Sequence, residues 1–126
     1  MSLYARVQDF YARQMRLLDE GKAEEFAETF TEDGVFAQTT SDPRHGRDAI
    51  AIAFRKAIDR RDGPRRRHWL GMLSVDEEAD GTIRTRYYAL VIEGRRLHLS
   101  TSAEDELIDR EGALLVRSRT VSHDDD

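Results

Sequence analysis

The feature that most constrains this chain is a change of hydrophobic period near residue 65. Before it, apolar residues return every three or four positions, the spacing of one helix face; after it, β-forming runs are separated by AspGly and GluGly steps. From Leu3 to Leu18, the residues Leu3, Tyr4, Val7, Phe10, Tyr11, Met15 and Leu18 form one helical stripe opposite Arg6, Asp9, Arg13 and Arg16. Gly21 stands where such a helix would be capped. KAEEFAETF sets Ala23, Phe26, Ala27 and Phe30 on one face of a short second helix, which TEDG then breaks. VFAQ predicts a short strand, TTSDPRHG a loop, and GRDAIAIAFRKAIDRR a third helix through Ile50, Phe54 and Ile58.

From Arg66 onward, turn signals at residues 80–81, 93–94 and 111–112 divide the chain into four long strands, expected as a meander. Helices gathered before strands predict an α+β fold, with three N-terminal helices packed against a curved antiparallel sheet in one domain over residues 1–126. A sheet curved around helices leaves a cone whose open mouth can hold a small molecule. Strict alternation would put His68, Leu70, Met72 and Ser74 on one face of the first long strand, and Trp69, Leu73 and Val75 on the other.

Composition removes several functions. A chain of 126 residues builds one core, and its 20 basic against 25 acidic residues leave a net charge of −5, unsuited to holding phosphate backbones, so no nucleic acid partner is expected. Without cysteine there is no disulfide, thiolate metal site or Cys nucleophile, which suits a reducing cytoplasm. No window approaches 18 apolar residues and the start mixes Arg and Asp into its apolar positions, so the chain reads as unexported and off the membrane. The four histidines, at 45, 68, 98 and 123, form no HxH or HExxH pattern, and no Walker or GxGxxG loop is present. Neither metal nor cofactor is therefore expected.

The order of elements, together with LeuAspGluGly at 18–21, PheThrGluAspGly at 30–34, GlyArgAspAlaIle at 46–50 and ArgHis at 67–68, resembles the NTF2-like superfamily over almost the whole chain. It is most similar to the SnoaL-like polyketide cyclase branch and to the β subunits of ring-hydroxylating dioxygenases. The resemblance implies an NTF2-like cone hosting a cofactor-independent proton transfer: cyclisation, dehydration or isomerisation of an aromatic polyketide or related carbonyl compound. The alternative it leaves open is a non-catalytic protein that binds a hydrophobic ligand or assists a partner oxygenase. By the same resemblance, Asp19 at the end of the first helix and His68 on the first long strand would meet inside the cone as a general acid/base pair. Family members often carry an Asn a few residues after that His; here Gly71 and Met72 follow.

Each candidate also has a plainer reading. Asp19 is equally a solvated helix end, though a carboxylate there opposes the helix dipole, and His68 is equally a strand residue satisfied by a backbone carbonyl. Tyr11 and Tyr88 offer phenols to a substrate carbonyl, yet a Tyr on an apolar stripe commonly packs its ring and turns its hydroxyl outward. Met15 and Met72 are expected to line the pocket with them. His98 would face away from Leu97 and Leu99, and the arginines at 65–67, 84, 86, 95, 96, 117 and 119 read mostly as solvated sheet face. An outer face bearing Trp69, Leu73 and Val75 predicts a homodimer.

Overall fold

The computed structural model describes residues 1–125. Helix α1 (Leu3–Asp19) starts at Ser2, whose hydroxyl accepts from the Ala5 N–H at 3.1 Å. It ends where Gly21 takes φ +78°, with Gly21 N–H bonded to Leu18 O and Lys22 N–H to Leu17 O, a Schellman closure that leaves Asp19 on the last helical turn. Helix α2 (Ala23–Ala27) is shorter than the periodicity predicts, and α3 (Arg47–Asp59) matches its predicted run. Arg55 of α3 ties the two together through Glu24 and the Gly21 carbonyl.

Phe30, expected to close the second helix, instead opens strand β1 (Phe30–Gln38), and the TEDG break lies inside that strand as a bulge. The chain turns so tightly there that a Cβ on Gly34 would sit 3.0 Å from the Phe30 side chain and the Thr31 carbonyl. The expected loop at TTSDPRHG contains a strand, β2 (Ser41–His45), which tolerates Pro43 because it lies at the sheet edge. The four long strands follow as expected: β3 (Arg66–Glu77), β4 (Ile83–Glu93), β5 (Arg96–Arg110) and β6 (Ala113–His123).

The sheet order is β2-β1-β6-β5-β4-β3. Every pairing is antiparallel except β1 with β6, which run parallel, so the helical front of the chain joins the meander through its last strand. Val7, Tyr11, Phe26, Phe30, Ile50, Ile83, Leu107 and Val116 are buried where the three helices meet the sheet. Burying each large apolar side chain contributes about 1.5–3 kcal/mol.

Three bulges change which side chains face inward. In β3 the register slips between Gly71 and Ser74, and Met72 takes φ +53°. Leu73 and Val75 therefore pack against the core on the same side as Leu70, while Trp69 and Met72 are exposed on the other face. In β5 the slip at Leu97–Leu99 leaves His98 as the extra residue; Leu97 is exposed, so the two leucines do not share a face. In β6 the slip between Val116 and Ser118 makes Arg117 the extra residue and turns Arg119 inward.

Candidate active site

Asp19 and His68 meet. The Nδ1 of His68 lies 2.7 Å from Asp19 Oδ1, and the His68 backbone N–H donates to both carboxylate oxygens, at 3.1 and 3.2 Å. One carboxylate thus holds the strand and the ring together. As the acceptor it fixes the proton on Nδ1, leaving Nε2 with its lone pair and no protein partner among the described residues. The pair is partly open, its side chains 22% and 11% exposed, and a groove between α1 and β3 reaches Asp19 from outside.

His68 also lines a cavity of about 380 Å³ enclosed by the three helices and the inner sheet face. That volume lies within the ordinary range for small-molecule sites. Its walls are apolar: Met15 and Leu18 from α1, Phe26 from α2, Phe54 from α3, and Phe36, Val91, Leu99 and Val121 from the sheet. Phe26, Phe36 and Phe54 pack as tilted and edge-on rings 4.6 and 5.0 Å apart. At the mouth stand Arg44, Lys56 and Arg60, which make no ion pair among the described residues, with Gln38 and His123 beside them.

The floor is a buried polar network. Asp105, fully enclosed, accepts from Tyr11 Oη at 2.6 Å, Tyr87 Oη at 3.1 Å, and Arg119 Nε and Nη2 at 3.0 and 2.9 Å. Thr85 meets the Tyr11 oxygen at 2.5 Å. Arg119 Nη2 also donates to Gln14 Oε1 at 2.6 Å, and Gln14 donates onward to Thr29. Burial and then the charge of Asp105 push the Tyr11 phenol far above its ordinary range, and burial does the same to Tyr87, so both remain donors. Burial works against the Arg119 charge, but Asp105 outweighs it and raises its pKa further.

The expected site residues divide accordingly. His68 and Met15 line the cavity, and Asp19 holds His68 from the groove side. Tyr11 is buried beneath the floor with its hydroxyl committed to Asp105, so it does not reach a ligand in the cavity. Met72 and Tyr88 point to the outer face, 79% and 58% exposed: the bulge at residues 71–74 expels Met72, and Tyr88 pairs with Gly71 and Ser102 in the outward register. Its neighbour Tyr87 lines the cavity instead. Arg119, expected in solvent, is 3% exposed. A legible signal existed for this network: Asp105 alternates with Thr101, Ala103 and Leu107, an acid on an otherwise inward face.

A family model for a SnoaL-like domain matches residues 1–120. Among solved structures, a protein from Catenulispora acidiphila shares 42% identity and superposes with a TM-score of 0.90, over 98% of this chain and 92% of that one. A Catenulispora acidiphila protein solved in complex with S-DNPA is likewise 42% identical, with a TM-score of 0.89 over 98% of this chain and 94% of that one. Aln2 from a Streptomyces species is 36% identical with a TM-score of 0.92, covering 98% of this chain and 91% of its own. ActVI-ORFA from Streptomyces coelicolor is 33% identical with a TM-score of 0.89, covering 99% and 100%. No curated protein matches the sequence. Among the described residues no helix is long and apolar enough to cross a membrane.

Proposed function

This chain belongs to the SnoaL-like domain family, and from that premise we propose that it is a cofactor-independent enzyme moving a proton on an aromatic polyketide or related polycyclic carbonyl compound. The reaction class is cyclisation, dehydration or isomerisation. The observation that carries this reading is a histidine on the cavity wall whose Nδ1 is held by a carboxylate at 2.7 Å. Nε2 takes a proton from the carbon beside the substrate carbonyl, and Asp19 stabilises the imidazolium that results. The imidazolium then returns the proton: to a departing hydroxyl, which leaves as water in a dehydration, or to another carbon in an isomerisation. The apolar walls suit a polycyclic carbon skeleton, and the complex of a Catenulispora acidiphila protein with S-DNPA supports a small-molecule ligand for this fold.

The test is hydrogen–deuterium exchange at C2 of α-tetralone, a bicyclic aryl ketone, followed by NMR in D₂O. Exchange well above the rate with imidazole buffer alone, and lost in His68→Ala, supports the enzyme reading. A wild-type rate equal to buffer overturns it in favour of a ligand-binding or oxygenase-assisting protein. The proposal extends to a cytoplasmic homodimer. Exposed Trp69, Met72 and Tyr88 support a second copy on the outer sheet face; a monomer in sedimentation at micromolar concentration contradicts it.

A further inference from the structure

We propose that Arg119 is a further ligand-contacting residue of this cavity, its Nη1 donating to the oxyanion of a bound phenolate or enolate. This rests on the proton-transfer reading and assigns the group that receives the negative charge when His68 removes a proton.

Two of the three guanidinium nitrogens are committed, Nε to Asp105 and Nη2 to Asp105 and Gln14. Nη1 has no protein partner among the described residues, and no enclosed side-chain nitrogen or oxygen there is left unbonded. Nη1 therefore keeps some accessible surface, and the opening that Arg119 borders is the cavity. A residue 3% exposed thus presents a pair of N–H donors to an apolar chamber.

Its position is fixed before any ligand arrives. The guanidinium carbon lies 5.6 Å from the ring centres of Tyr11 and Phe30 and 5.8 Å from that of Tyr87. Asp105 clamps the opposite edge of the fork through two nitrogens, so the free donors point away from the carboxylate that balances them. The Tyr87 hydroxyl gives its proton to Asp105 and has none to offer a ligand. Donors already oriented in a dry site stabilise developing negative charge far more than donors that must reorganise. An apolar pair of equal volume would hold the fold about as well as a buried ion pair; stability alone does not account for a permanent cation bordering the cavity.

The probe is 2-naphthol, whose neutral and ionised forms absorb at different wavelengths. Wild-type protein is expected to bind the naphtholate at least about tenfold more tightly than the naphthol, so that bound probe ionises at lower pH than free probe. The preference should vanish in the double variant Arg119→Gln with Asp105→Asn, which leaves no buried charge unpaired, and persist in His68→Ala, which loses tetralone exchange. Wild-type ¹⁵N NMR requires no variant: 2-naphtholate should displace the Arg119 guanidinium signals and naphthalene should not. No binding at millimolar 2-naphthol, equal affinity for both forms, or a preference that survives the double variant each overturns the proposal. Loss of tetralone exchange alone bears on His68 and leaves this test standing.

Discussion

Two carboxylates meet the same cavity through a basic partner, one an imidazole and one a guanidinium, and the pairs differ in burial and in access to water. Asp19–His68 sits on the wall, partly wet, with a ring that can be charged or neutral. Asp105–Arg119 forms part of the floor, with side chains 0% and 3% exposed and a cation that does not titrate in the working range. A group that carries a proton between substrate and solvent must gain and lose charge cheaply, which requires access to water. A group that only stabilises charge works best dry, fixed and permanently ionised. The difference lies in surroundings: a groove opens onto Asp19, whereas four donor hydrogen bonds close over Asp105.

The contrast breaks most visibly at Arg119. Arg119→Ala should cost about 3–5 kcal/mol in denaturant unfolding, because Asp105 is left as a buried unpaired anion. Adding Asp105→Asn should restore part of that loss. His68→Ala should do the opposite, lowering tetralone exchange about 10²- to 10⁴-fold while its circular-dichroism melt stays close to wild type. A comparable drop in both measurements would mean the wall pair is structural as well. Asp19→Asn keeps an acceptor near Nδ1 but removes the charge that supports the imidazolium, so exchange should fall by a smaller factor, on the order of tenfold.

Alkaline unfolding sharpens the comparison from the floor side. Tyr11 and Tyr87 ionise above their ordinary value of 10.0 when folded, so the unfolded chain releases these protons first. Their contribution is complete below pH 10 and is lost as pH rises from there toward the folded value. The melting midpoint should fall above that pH, and less steeply when both are changed to Phe. The smallest effect belongs to the outer face: Met72→Ala and Tyr88→Phe should alter 2-naphthol affinity by less than about 0.5 kcal/mol in calorimetry.

Much of this architecture is written in periodicity. The stripe from Leu3 to Leu18 yields α1, Gly21 its end, and Ile50, Phe54 and Ile58 yield α3, because helix faces are set by spacing along one segment. The wall pair was legible through the resemblance of its motifs, and a carboxylate placed against the helix dipole at Asp19 already stood out. Residues beyond a bulge were not legible. Alternation carried forward from His68 assigns Met72 inward, and alternation carried from Val116 assigns Arg119 outward; one extra residue reverses each. A bulge is a property of two strands in register, so neither strand announces it alone. Tyr87 and Tyr88 are chemically equal in the sequence, and only strand register distinguishes them.

The interior place of β6 in the sheet also sets a timetable. Until that strand exists, β1 and β2 have no edge on the meander, and the sheet is in two parts. Gln14 then waits for a partner 105 residues downstream. On a ribosome, which delivers the chain from its N-terminus, α1 precedes Arg119 and Asp105 emerges before its counter-ion, so that acid stays hydrated meanwhile. Closure of the chamber is thereby postponed to a late, long-range event of the kind that slows folding. The aromatic lining of the cavity is thus complete only once β6 bridges β1 and β5.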